Sequence, residues 1–139
     1  MSHPHGVIDP ELQEILHTIL RPGQRFGHRQ HINLAYLAVH RHGMPAAIEK
    51  ICTWIQQIAA HDGVPHKYHN TVSRAWVELV AHHVAADSPC TGFERFARHN
   101  PALFDKQLLT RHYRATTLAS DQARHGWAEP DLAPFPWSR

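Results

Sequence analysis

The fold of this chain is decided by residues 26–42, which read FGHRQHINLAYLAVHRH. At about 100° of rotation per residue, the apolar side chains of this segment fall on one face of a helix. The residues on that face are Ile32, Leu34, Ala35, Ala38 and Val39. Gly43 and Pro45 follow, and they are typical end and start signals of consecutive helices. The segment therefore predicts an amphipathic helix that buries one face.

Helix signals continue on both sides of this segment. A short helix is predicted over 10–20, because Asp9 and Pro10 fit its cap and first position. A second long helix is predicted over 45–60, and a third begins near residue 65 or 68 and ends near 86. Shorter helices are predicted over 92–99, 102–113 and 120–125.

The two ends of the chain are expected to be irregular. Residues 1–9 are predicted to be flexible, and residues 128–139 contain three prolines that exclude a regular helix. The apolar side chains of this tail, Leu132, Phe135 and Trp137, indicate an extended segment strapped over the helices. We therefore predict one all-α domain over 1–139, a small helical bundle with an extended proline-rich C-terminal tail.

Composition narrows the function classes. Hydrophobic residues make up 42% and charged residues 19%, which is typical of a globular chain. Positive charges are dispersed and the net charge is +2, so no nucleic-acid partner is expected. No apolar run approaches the ~20 residues of a membrane span, and no signal peptide is apparent. Cys52 and Cys90 lack metal or redox spacing, so a cytoplasmic protein is expected, with a homodimer through an apolar helix face as one assembly.

Histidine is the chemically most prominent residue, with fifteen copies against fourteen Lys and Arg together. His28 and His31 form an H-x-x-H pair at the start of the first long helix, and His66 and His69 form another near the start of the third. Helix phase places His28, His31 and His69 on apolar faces. Short connections make the first and third long helices parallel, so their starts lie at one end of the bundle. These three imidazoles are expected to converge there.

Three converging imidazoles predict a mononuclear metal centre. Three protein ligands leave a coordination position open, as catalytic sites do, and neutral nitrogen ligands suit Zn, Fe or Cu. Zn would acidify water or polarise a carbonyl, whereas Fe or Cu would engage O₂. The sequence thus predicts a metal-dependent enzyme that acts on a small organic molecule. Tyr68, which precedes His69, and Asp62, from the adjoining turn, are the predicted catalytic residues.

Two strings carry a family resemblance: residues 26–37 read FGHRQHINLAYL, and residues 67–71 read KYHNT. They resemble an uncharacterised bacterial all-helical family with F-x-H-x-x-H-x-x-L-A and K-Y-H-x-T motifs. The resemblance extends over about residues 26–134 and includes Asp105-Lys106 and Leu108-Leu109. It implies that the three predicted ligand histidines belong to the family pattern while most other histidines do not. No activity is established for that family, so the resemblance supports a site and leaves its chemistry open.

Two non-enzymatic hypotheses compete with the metalloenzyme. The chain could be a helical ligand-binding or protein-interaction module with structural or sensory histidines. It could also be a metal-free domain, because an inward histidine at a helix start often caps the helix or hydrogen-bonds within the core. The enzyme hypothesis requires an open ligand position beside a cavity with a polar group. The metal-free hypothesis requires that a chelator change neither stability nor spectrum.

Overall fold

The computed structural model describes residues 8–86 and 92–137, which are helical and contain no strand. The α-helices there are α1 Pro10–Ile19, α2 His28–His42, α3 Ala46–His61, α4 Asn70–Ala86, α5 Phe93–His99, α6 Ala115–Leu118 and α7 Asp121–His125. The 3₁₀ helices are Pro65–Lys67, Pro101–Phe104 and Lys106–Arg111. The all-α prediction is confirmed. Cys90 and most of the segment predicted to be flexible, 1–9, lie outside the described residues.

Helices α2, α3 and α4 pack against one another around a shared core. The predicted apolar face of α2 is the buried one, with Ile32, Leu34, Ala35 and Ala38 all fully inaccessible to solvent. Trp54 of α3 and Trp76 of α4 are also buried, as is typical of large core side chains. Burial of these faces from water is the main stabilising contribution to the bundle.

Helix α2 begins at His28, two residues later than the apolar pattern predicts. Gly27 precedes it in an extended conformation, and its backbone N–H donates a hydrogen bond of 2.8 Å to the side-chain oxygen of Gln30. This bond gives the backbone N–H of Gly27, just before the first turn, a hydrogen-bond partner. Phe26 is therefore outside the helix, where its ring is half-buried and contacts that of His31 at 6.5 Å.

The segment predicted as one helix over 102–113 forms two 3₁₀ helices instead. The side chain of Asp105 lies between them and accepts a hydrogen bond of 2.9 Å from the backbone N–H of Gln107. Asp competes with helical hydrogen bonding in this way, which favours a cap or a turn over a helix interior. The break places Leu103 and Leu109 in the core from two separate short elements.

The described part of the C-terminal tail, residues 128–137, lies across the bundle without helix or strand, as predicted. Phe135 is 1% exposed, and its ring stacks on that of Trp137 at 4.8 Å. The indole N–H of Trp137 donates a hydrogen bond of 3.0 Å to Glu78 of α4. Leu132 was expected to pack with them, and this was wrong: it is 46% exposed. Its backbone N–H is bound instead, to the carbonyl of His112 at 2.9 Å.

Within residues 8–86 and 92–137, no helix is both long enough and apolar enough to cross a membrane. The large hydrophobic side chains exposed in these ranges are Met44 and Leu132. Single exposed hydrophobic side chains are normal on a folded surface and do not by themselves define an apolar contact face. The homodimer stays a prediction.

Candidate ligand-binding site

A cavity of about 490 Å³ lies beside the start of α2, with α4 and the 3₁₀ helix Lys106–Arg111 contributing to its walls. Most of its lining is apolar: Phe26, Ile55, Val72, Trp76, Leu109 and Leu118. The other lining residues are Gly27, His28, His31, Lys106 and Thr110. A mostly apolar cavity of this size with a few polar groups is typical of a small-ligand site.

His28 is fixed at the edge of this cavity by two contacts. Its ring packs edge-on against that of Trp76, with the ring centroids 4.6 Å apart. Its Nε2 lies 2.8 Å from the carbonyl oxygen of Leu103. Because a carbonyl only accepts, Nε2 carries the hydrogen and Nδ1 keeps its lone pair. Burial lowers the pKa of His28; the nearby ammonium of Lys106 lowers it further, while the bond to Leu103 and the carboxylate of Asp105 oppose this. The ring is therefore neutral near pH 7.

His31 has a buried ring nitrogen without a hydrogen-bond partner among the described residues. That atom is Nε2, and the residue as a whole is half-buried. Burial, with a smaller contribution from the charge of His28, lowers the pKa of His31 to about 4. The imidazole is thus neutral at physiological pH, and Nε2 can donate or accept according to tautomer. An unsatisfied buried polar atom costs about 1 to 3 kcal/mol, so its presence beside a cavity calls for an explanation.

The structure places His69 in the framework of the cavity rather than in its lining. Nε2 donates a hydrogen bond of 2.6 Å to the carbonyl of Leu118, and Nδ1 accepts one of 3.2 Å from the backbone N–H of Val72. His69 thereby caps the start of α4 and ties it to Leu118, the last residue of α6. Its two partners both line the cavity. Since both ring nitrogens are used, His69 positions the walls and offers no lone pair to the interior.

The predicted trio is therefore brought together only in part, with His28 and His31 on one cavity. Among the described residues, no group of three or more His, Cys, Asp or Glu side chains is arranged to hold a metal ion. The imidazole of His69 would have to give up the bond to Val72 or the bond to Leu118 to become a ligand.

Tyr68 and Asp62 lie away from this cavity. The hydroxyl of Tyr68 donates a hydrogen bond of 2.9 Å to Asn70, and burial, followed by contact with the thiol of Cys52, raises the pKa of Tyr68 above its ordinary range. Asp62 lines a different cleft of about 790 Å³ beside α1 and α3. Phe26 lines both the cleft and the cavity, so the two openings are neighbours. Neither predicted catalytic residue lines the cavity that His31 borders.

Several residues of the site escaped the sequence argument. The carbonyl of Leu103 fixes the imidazole of His28, and the carbonyl of Leu118 fixes that of His69. Both are backbone groups, which no side-chain pattern reveals. Lys106 is exposed, and an exposed lysine is too common to indicate a site. The one available signal was its place in the Asp105-Lys106 pair of the family resemblance.

The chain matches no protein-family profile, and no similar protein was found among curated proteins or solved structures. The geometry so far defines a small helical protein with a histidine-edged, mostly apolar cavity.

Proposed function

We propose that this protein is a helical binding module that takes a small organic molecule into the cavity beside α2. The observation that carries the proposal is the buried Nε2 of His31, which has no partner in the described chain and belongs to a residue of the cavity wall. Nε2 is covered by protein atoms, so a ligand with one polar group would complete its hydrogen bonding once the side chain of His31 turns toward the cavity, and the apolar lining would cover part of the rest of the ligand. Such a site gains affinity from both contributions.

Binding is favoured over catalysis because the expected acid–base partners are absent from the cavity lining. His28 and His31 both have lowered pKa values, so near neutral pH their rings can accept a proton but are not in the imidazolium form that donates one. Tyr68 and Asp62, the expected acid–base partners, line no part of the cavity. The proposal therefore includes no bond-making step.

The binding proposal is tested by titrating the ¹⁵N-labelled protein with indole, phenol and benzamide, each an apolar ring with a single polar group. We expect saturable shifts of the side-chain resonances of His31 and Trp76. The His31→Leu variant should bind the best of these probes about fivefold more weakly, because it lacks a hydrogen bond worth ~1 kcal/mol.

The matched control for this experiment is Arg25→Gln, which changes an exposed residue of the larger cleft. It should leave both the shifts and the affinity unchanged. Shifts centred on the larger cleft, with equal binding by His31→Leu and the parent protein, would contradict the proposal. Circular dichroism of each variant checks that the helices are intact.

A second candidate, the metal-dependent enzyme acting on a small molecule, is favoured by one observation at His28. Its Nε2–H donates to a backbone carbonyl, and this leaves Nδ1 as a fixed lone pair, an arrangement common among metal-bound histidines. His31 supplies a second nitrogen lone pair in one tautomer. Zn, Fe or Cu held by these two imidazoles would leave positions open for water or substrate.

Elemental analysis of untagged protein, purified without added metal, tests this second candidate. It predicts near-stoichiometric metal that is lost in His28→Ala and in His31→Ala but retained in His69→Asn, which keeps a capping side chain at the start of α4. Equal loss in all three variants would favour the original trio of ligands. A metal-free protein that Zn, Cu and Fe(II) do not stabilise would end the metal hypothesis.

We also propose the cytoplasm as the compartment and a small molecule as the partner. The cysteine usage of the sequence and the free thiol of Cys52 support the first. The dispersed positive charge, with a net value of +2, supports a small molecule over a nucleic acid.

A further inference from the structure

The polar groups of the cavity are concentrated around the first turn of α2. Gly27, His28 and His31 come from this turn, and the ammonium of Lys106 is close enough to His28 to act on its ionisation. No acidic side chain is among the lining residues. The nearest carboxylate along the chain, that of Asp105, accepts a hydrogen bond from the backbone N–H of Gln107. Among the lining residues themselves the fixed charge is therefore positive, and the carboxylate of Asp105 lies just outside the lining.

Lys106 is available to a ligand. Within residues 8–86 and 92–137 it takes part in no ion pair, whereas the neighbouring cation on α2, Arg29, is bound to Glu94 at 2.8 Å. Arg29 also lies over the rings of Phe93 and Phe104. Lys106 is thus the one fixed cation in the cavity lining.

The N-terminus of α2 adds a second source of positive potential. Helix dipoles place about half a positive charge at this end, and the first backbone N–H groups have no partner within the helix. In α2 no side chain caps those groups, because the residue at the cap position is Gly27. Gly27 and His28 both line the cavity, so this end of the helix borders it.

The remainder of the lining determines what the anion is attached to. Val72, Trp76 and Leu109 belong to an apolar wall with no compensating charge. One lysine without an arginine fits a singly charged group better than a phosphate, which arginine forks usually recognise. A cavity of about 490 Å³ has room for a compact apolar body beside that group.

We propose that the ligand of this cavity is an apolar monocarboxylate. Its carboxylate lies between Lys106 and the first turn of α2, where it accepts a hydrogen bond from Nε2 of His31 once that side chain turns toward the cavity, and its apolar body lies against Trp76 and Val72. This inference rests on the proposed function and narrows it to one chemical class of ligand.

A matched pair of probes tests the charge requirement: 4-methylbenzoate and 4-methylbenzamide, which have nearly the same shape. We expect the carboxylate to bind about tenfold more tightly than the amide at pH 7, because hydrogen bonds to an ionised acceptor are stronger. The preference should shrink at high salt, since Lys106 is exposed and its interaction is screened.

Two lysine variants locate the effect. Lys106→Gln should weaken carboxylate binding roughly fivefold and amide binding much less, as expected for one partly exposed ion pair. Lys67→Gln, which removes an exposed lysine of the larger cleft, should change neither affinity.

The outcomes separate this inference from the proposed function. Equal binding of the two probes would overturn the carboxylate and leave a binding module in place. Absence of binding by these probes and by indole and phenol would overturn both. A carboxylate preference that stays near tenfold in Lys106→Gln would overturn the assignment of the anion to this cavity.

Discussion

When the pH is lowered from 8 to 5, the free energy of unfolding should fall by about 2 kcal/mol less in the His31→Leu variant than in the parent protein. In the folded protein the pKa of His31 is lowered from 6.5 to about 4 by burial and by His28. Below pH 6.5 the unfolded chain therefore takes up a proton that the folded chain does not bind until about pH 4. This contribution to stability is complete above pH 6.5 and is lost as the pH falls toward 4. Because His31 as a residue is only partly buried, the figure is an upper limit.

Urea unfolding followed by tryptophan fluorescence at the two pH values measures this difference. His17→Leu is the control, because it removes an exposed imidazole from α1 and should keep the pH dependence of the parent protein. At pH 8 His31→Leu should be at least as stable as the parent, since leucine leaves no buried nitrogen without a partner. If His31→Leu and the parent lost equal stability on acidification, His31 would have to bind its proton freely in the folded state.

Local signals in the sequence predicted most of the helical architecture. The end of α2 at His42 follows from Gly43, and the start of α3 at Ala46 follows from Pro45. The start of α2 differed from the prediction because the capping bond between Gly27 and Gln30 outweighs the apolar character of Phe26. Periodicity reports which face is buried, whereas the first residue of a helix depends on such individual hydrogen bonds.

The candidate site could be predicted only in part, for a similar reason. Helix phase put His28 and His31 on an inward face, and the structure places both on one cavity. Helix phase also put His69 inward, but its ring binds the carbonyl of Leu118, 49 residues farther along the chain. A backbone acceptor brought in by tertiary packing leaves no trace in residue spacing. The pattern therefore identified an inward histidine without distinguishing a cap from a ligand.

The irregular C-terminal tail is expected to contribute as much to the stability of the protein as a helix does. Phe135→Ala should lower the free energy of unfolding by about 3 to 5 kcal/mol, the usual cost of removing a buried aromatic side chain. The ring is 1% exposed and contacts those of Tyr113, His112 and Trp137. Its removal leaves a cavity and weakens the packing that holds Trp137 against Glu78 of α4. The measurement is urea unfolding at pH 8, where histidine titration contributes least.

Leu132→Ala is the matched control within the same segment. Its side chain is 46% exposed, while the backbone N–H that binds His112 is kept in the variant, so the expected change is below about 0.5 kcal/mol. A pronounced loss in Phe135→Ala with little change in Leu132→Ala would establish that the tail is held by its buried ring. Equal small losses in both variants would mean that the tail detaches easily and that the bundle is stable without it. In that case the indole of Trp137 should become exposed to quenchers in the parent protein as well, which fluorescence quenching measures independently of unfolding.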